Sequence, residues 1–259
     1  MPISDPTTRF SDRVDNYVRH RPGYPPAVIE LLRRECGLTP DAIVADVASG
    51  TGLLTRMLLE NGNRVFAVEP NLQMRQAGER LLAGYHKFVS VAGVAEATTL
   101  ADHSIDLVTA AQAAHWFDPA KARHEFVRIL KPGGWCVLIW NERRTDSSPL
   151  LRAYEQLVLT YGTDYKQVRH EHFTANIASF FAPSKFSTHL FEMQQEFDYP
   201  GLEGRVLSSS YAPQQGHPDY KPMLKQLRAI FEEFKVEGKV TFEYNTGVYC
   251  GKLGVARKP

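Results

Sequence analysis

The chain has 259 residues, 43% of them hydrophobic, enough to bury a full core, and one α/β domain with an insertion fits that length better than two independent domains. With 30 basic and 29 acidic residues the net charge is +1, a balance that gives no electrostatic footing for nucleic acid or an anionic membrane surface and favours a small-molecule ligand. Three widely spaced cysteines, Cys36, Cys136 and Cys250, form neither a CxxC pair nor a zinc spacing and fit a reducing compartment; MPISDPTTRF lacks an apolar leader core and no apolar run nears ~20 residues, so the expected location is cytoplasmic.

In chain order, Ser11 is positioned to cap a helix over Asp12–His20, and Pro25-Pro26 to start another over Ala27–Glu35 that stops at Gly37. Strands and helices then alternate. Strand Ile43–Val47 leads to helix Leu53–Glu60, strand Arg64–Val68 to helix Leu72–Leu82, and strand Phe88–Val91 to a short turn. Strand Ile105–Ala110 leads to helix Pro119–Leu130, which Pro132-Gly133-Gly134 breaks before strand Trp135–Trp140. Strands separated by helical patterns predict a parallel sheet covered on both faces. Beyond it the spacing predicts helix Leu150–Tyr161, a helical piece in His170–Phe181, strand Phe186–Phe197, helices Leu202–Leu207 and Met223–Phe234, and a last strand in Val240–Leu253. The organisation read from this is one domain: N-terminal lid helices (1–40), a core (41–144), a helical cap insertion (145–184) and a segment that completes the sheet (185–259).

The most informative stretch is AIVADVASGTG, Ala42–Gly52. A β-branched run ends in a small-residue loop and a helix begins at Leu53, the order a nucleotide-type cofactor needs. Gly50 and Gly52 let backbone approach a ligand without a Cβ in the way. Glu69, at the end of the second strand, can accept hydrogen bonds from both hydroxyls of a ribose. The dinucleotide fingerprint GxGxxG would require its third glycine at Thr55, which counts against a nicotinamide cofactor.

Here the chain resembles the class I S-adenosylmethionine-dependent methyltransferases (type 11-like), of the small-molecule kind related to ubiquinone-biosynthesis and trans-aconitate methyltransferases. DVASGTG is similar to the family's DxGxGxG loop, Glu69-Pro70-Asn71 to its ribose acid, and GVAEA followed by DHSIDLV to its adenine-side loop and fourth strand. RILKPGG matches the turn into the fifth strand, while YxxxRPxYP (Tyr17, Arg21, Pro22, Tyr24, Pro25) and AQAAHWF resemble one branch. The resemblance implies a Rossmann-like doubly wound seven-stranded sheet, order 3-2-1-4-5-7-6, with the last strand antiparallel. It also implies S-adenosyl-L-methionine as cofactor and S-adenosyl-L-homocysteine as product. On that basis Asp46, Gly50 and Gly52, with Ala48 in the same loop, would hold the methionine part. Glu69 would take the ribose, Asn71 and Leu72 would lie near the nucleoside, Ala95 and Glu96 would flank adenine, and Gln112 would face the sulfonium. Two positions depart from the pattern. Ala48 stands where the family has its first loop glycine, and Val94 where it often has an acid. The adenine contact then falls to the Ala95 N–H or the Glu96 carboxylate.

Methyl transfer is an in-line displacement, so the protein's main task is alignment. Tyr17, Tyr24, Trp116 and Phe117 are candidate aromatic faces for a cationic sulfur. His115 is the candidate base for a hydroxyl or amine acceptor, or else a structural hydrogen-bonder at the cleft. Tyr17 and Arg21 lie on the lid helix; Arg21, Arg143 and Arg144 are candidate anion clamps, with Arg143-Arg144 read first as a solvated loop pair. His170-Glu171-His172 gives little footing for a metal, because histidines two apart do not share a helix face. Phe173, Phe180 and Phe181 read as cap core. The function expected is methyl transfer to a small molecule, the acceptor atom open. The alternatives are a NAD-linked oxidoreductase and a non-catalytic nucleoside-cofactor-binding protein.

Overall fold

A computed structural model describes residues 13–165 and 177–254. Two helices, α1 (Val14–His20) and α2 (Ala27–Glu35), precede the first β/α units: β1 (Ile43–Val47), α3 (Leu53–Glu60), β2 (Arg64–Val68), α4 (Leu72–Leu81) and β3 (Phe88–Val91). There follow β4 (Ile105–Ala111), α5 (Pro119–Ile129), β5 (Leu130–Arg143) and α6 (Pro149–Tyr161). The chain closes with β6 (Phe186–Phe197), α7 (Tyr199–Leu207), α8 (Tyr220–Phe234) and β7 (Val240–Gly251). The seven strands form one sheet in the order β3-β2-β1-β4-β5-β7-β6. Strands β1 to β5 run parallel, and β7 lies antiparallel between β5 and β6. This is the expected Rossmann-like order.

Successive side chains of a strand face opposite sides, and the core divides accordingly. Val44, Leu107 and Val137 pack under α2 and α3, whereas their neighbours Ala45, Val108 and Leu138 pack under α5. Both faces of these strands are buried, as their continuous apolar runs require. Helix ends follow capping chemistry: Asn71 accepts from the Met74 N–H at the start of α4, and Ser148 from the Leu151 N–H at the start of α6.

Four differences from the sequence reading have physical causes. Strand β5 begins at Leu130, not Trp135. Ile105 faces Leu130 and Leu107 faces Trp135, so Pro132-Gly133-Gly134 form an excursion inside the strand, with Gly133 at φ +82°. Arg143 ends that strand, Arg144 follows it, and the two are not a solvated loop pair; Arg143 is buried against Glu155, while Arg144 pairs with Glu192 and Glu243. Helix α6 packs with α7, α8 and the ends of β6 and β7 in a core of its own. Phe180 and Phe181 instead join the sheet core beside Phe126, so the residues read as one cap divide between two cores. Ser11, Asp12, His170-Glu171-His172 and Phe173 lie outside the described residues. Among the described residues no helix is long and apolar enough to cross a membrane, and all three cysteines are buried and free.

Candidate active site

A cavity opens over the carboxyl ends of β1, β2 and β4. It is bounded by the chain at and just past the strand ends: Ala48 and Gly50, Glu69 to Asn71, and Ala111 to Ala113. Two of those residues are non-glycines in the left-handed region, Ala48 (φ +55°) at the end of β1 and Gln112 (φ +58°) at the end of β4. For an alanine that conformation costs about 1–2 kcal/mol. The loop after β1 is therefore held by its surroundings, with the Ser49 N–H donating to the Val68 carbonyl oxygen (3.1 Å) and the Gly50 N–H to Glu69 Oε2 (2.9 Å). Glu69 Oε1 accepts from the Asn71 N–H (2.8 Å). One carboxylate thus fixes the backbone on both sides of the opening. It is 7% exposed; burial raises its pKa, opposed by the hydrogen bonds from Asn71 and Gly50. The opposite wall is apolar, made by Met74, Val94, Ala95 and Phe117. The Glu96 side chain reaches the same cavity and also accepts from the Asp118 N–H (2.7 Å).

The structure brings Tyr17, Ala48, Gly50, Glu69, Asn71, Ala95, Glu96 and Gln112 to this one cavity. Other expected residues stand elsewhere. Asp46 lies beneath the loop, 1% exposed, accepting from the hydroxyls of Thr55 (2.6 Å) and Thr109 (2.9 Å). Burial raises its pKa to about 6, against the two hydroxyls. Gly52 starts α3 at φ +89°, and a Cβ there would meet Leu82 Cδ1 at 2.6 Å, so it serves the turn and its packing. Leu72 is 48% exposed on the surface of α4. Tyr24 packs against the core under α2 and α3 and lines neither cavity. At position 55, where a dinucleotide fingerprint needs glycine, a fully buried threonine hydroxyl is committed to Asp46.

A second cavity adjoins the first. Tyr17, Gln112 and Trp116 line both. Gln112 is fixed at this boundary because its Nε2 donates to the Asn141 carbonyl oxygen (2.9 Å) and its N–H to the Ile139 carbonyl oxygen (2.9 Å). Its Oε1 is buried with no hydrogen-bond partner among the described residues, a costly state for a polar atom. Asn141 in turn donates to the Gly23 carbonyl oxygen (2.8 Å) and accepts from the Thr246 hydroxyl (2.6 Å). His115 and Arg21 line this second cavity. The His115 ring is exposed and sits 4.2 Å from Trp116 and 4.9 Å from Trp140, centroid to centroid. Sequence reasoning missed Arg205, Tyr165, Tyr211 and Tyr244 here, and Met74 in the first cavity. Only Met74 had a signal, its place in the first turn after the Asn71 cap. Helix α1 buries none of its own residues, yet it supplies Tyr17 to both cavities. It is held by Arg13, which donates to the carbonyl oxygens of Ser209 and Ala212, and by His20, which lies so close to Gly204 that a Cβ there would clash with its ring.

Comparison with known proteins bears on this geometry. A family model described as a methyltransferase domain matches residues 45–138, the span from β1 to β5 that carries the loop, the acid and Gln112. Over that span the chain is similar to methyltransferase domains. An uncharacterized methyltransferase of Mycobacterium tuberculosis is 41% identical over 139 residues, 54% of each chain. One from Schizosaccharomyces pombe is 33% identical over 153 residues, 58% of each chain. The chain therefore spans about half the length of the curated relatives it matches. Among solved structures, a chain from Anaeromyxobacter dehalogenans superposes with a TM-score of 0.65 at 21% identity, covering 90% of this chain and 98% of that one. A chain from Anabaena variabilis does so at 0.60 and 20%, covering 85% and 96%. The shared fold extends well beyond the matched span. Among the described residues no group of three or more His, Cys, Asp or Glu could hold a metal ion.

Proposed function

We propose that this chain transfers the methyl group of S-adenosylmethionine to a small molecule, with the donor in the first cavity and the acceptor in the second. The observation that carries this reading is the common wall of Tyr17, Gln112 and Trp116 between two adjoining cavities. In-line displacement needs donor and acceptor on opposite sides of one point, and alignment of that kind is worth ~7–11 kcal/mol in favourable cases.

The residues of the first cavity fit the donor. Glu69 spends one lone pair of each oxygen on backbone N–H groups, which leaves acceptor capacity for two ribose hydroxyls. The apolar side chains of Met74, Val94 and Phe117 suit the faces of a purine. With Val94 in place of an acid, adenine recognition falls to main-chain groups around Ala95 and to Glu96. The unpartnered Gln112 Oε1 is an acceptor at the cavity boundary, and Tyr17 and Trp116 offer faces to a cation there. Asp46 acts at one remove, tying α3 and β4 beneath the loop. When bound, the donor supplies an electrophilic methyl carbon: the acceptor's lone pair forms the new bond as the carbon–sulfur pair returns to sulfur, giving S-adenosylhomocysteine. His115, exposed on the acceptor side, receives a proton where the acceptor is a hydroxyl or an amine; a carboxylate acceptor needs no base.

Calorimetric titration with S-adenosylhomocysteine and with NADH tests the reading. Saturable heat with the first and none with the second is expected, together with S-adenosylhomocysteine formation when S-adenosylmethionine is incubated with a panel of small acids, phenols and amines. Binding of NADH alone would overturn it.

A further inference from the structure

The acceptor-side cavity contains three arginines from three parts of the chain: Arg21 after α1, Arg143 at the end of β5 and Arg205 in α7. Their surroundings differ. Arg143 is neutralised by Glu155, whose carboxylate also accepts from the Tyr165 hydroxyl (2.8 Å). Arg21 and Arg205 have no carboxylate partner among the described residues. Arg21 donates to the Ser208 carbonyl oxygen (3.0 Å), and its Nε is buried with no acceptor among the described residues. Arg205, 6% exposed, donates to the Ser209 hydroxyl (3.0 Å) and the Tyr244 hydroxyl (3.4 Å). Among the described residues Glu142 is the one carboxylate that lines the cavity, and it is exposed.

Two guanidinium groups that line one cavity, Arg205 buried and Arg21 half-buried, with no carboxylate partner among the described residues, are an expensive arrangement. Each has lost solvation, and each repels the other. The Arg21 pKa is lowered by burial first and by Arg205 second. A folded chain tolerates that state where an anion completes it: a carboxylate accepts two parallel N–H bonds from a guanidinium, and such bonds are stronger than neutral ones. Much of the remaining wall is aromatic. Trp116 and Trp140 line it along with Tyr165, Tyr211 and Tyr244, and faces of this kind favour a flat body lying against them.

Resting on the methyl-transfer reading, we propose that the acceptor is a small, flat carboxylic acid whose carboxylate is held by Arg21 and Arg205, with its body against the aromatic wall. Arg143, already neutralised, shapes the cavity and does not bind the anion. Arg21 then couples the two cavities, because it follows the helix that carries Tyr17 and its guanidinium lies 5.0 Å from the Tyr17 ring centroid.

The test titrates the full chain with benzoate and fumarate, and with benzamide and fumaramide, at low ionic strength, with and without S-adenosylhomocysteine. The acids are expected to bind at least tenfold more tightly than their amides. Arg21→Gln and Arg205→Gln should each weaken acid binding tenfold or more, and Arg21→Lys should recover part of the loss. Circular dichroism and S-adenosylhomocysteine binding report whether each variant is folded. Equal binding of acids and amides would overturn the proposal, as would undiminished acid binding by folded Arg21→Gln and Arg205→Gln. Displacement of the acids by equimolar inorganic phosphate would reassign the pair to phosphate and also overturn it. If S-adenosylhomocysteine fails to bind while the acids do, the methyl-transfer reading falls and the anion site stands.

Discussion

Replacing Glu69 by glutamine keeps the side chain's shape and removes its charge. In the folded chain the two carboxylate oxygens accept from the Gly50 and Asn71 N–H groups at 2.9 and 2.8 Å. An amide can satisfy only one of them, because its NH2 must face the other donor. The unsatisfied N–H and the loss of a charged acceptor should lower stability by ~1–3 kcal/mol. Donor binding should suffer separately. Hydrogen bonds to a charged group are worth ~1.5–3 kcal/mol, so S-adenosylhomocysteine should bind roughly 10- to 150-fold more weakly. Urea denaturation reads the first effect and titration calorimetry the second. Adenine alone, which has no ribose, should bind Glu69→Gln and the parent equally. A folded Glu69→Gln chain that holds S-adenosylhomocysteine with undiminished affinity would refute the ribose assignment.

Two further expectations concern the same loop. Asp46 has a folded-state pKa of about 6 against an ordinary value of 3.8, so between those values the folded chain holds more protons than the unfolded one. Its contribution therefore favours folding at low pH and is lost as pH rises from about 4 through 6, at ~3 kcal/mol in all. Asp46→Asn, whose amide can still pair with both threonine hydroxyls, should flatten the stability profile there, and an unchanged slope in pH-dependent denaturation would show that the group titrates normally. Ala48→Gly relieves the left-handed conformation, worth about 1–2 kcal/mol, and gives back ~0.4–1 kcal/mol to the freer unfolded chain. A net gain of about 0.5–1 kcal/mol is expected by thermal denaturation; a clear loss would mean that the methyl group packs usefully.

The parallel core was legible because each strand is an apolar, β-branched run closed by a turn residue, and the helices between them carry regular apolar spacing. Gly50 and Glu69 could be read for the same reason: both lie one short step past a strand whose end was clear. The place of Asp46 beneath the loop was not legible, because its partners, Thr55 and Thr109, come from a helix and from a strand sixty-three residues on, and no local pattern announces them. The start of β5 was hidden by a Pro-Gly-Gly sequence that reads as a break but is an excursion held in register on both sides. Arg205 had no signal at all. The second cavity is assembled from α1, β5, α7 and β7, with contacts such as Arg21 to Ser208 spanning 187 residues, and only tertiary packing brings them together.

The junction of Gln112 and Asn141 is anchored in the sheet itself, to β5 and, through Thr246, to β7. The partition between the two chambers is thus part of the rigid frame, while much of the far side of the second chamber is built from segments outside it. Descendants of this chain could exchange that outer masonry for another guest and leave the axis of transfer where it stands. Chemistry and clientele are free to evolve at different rates.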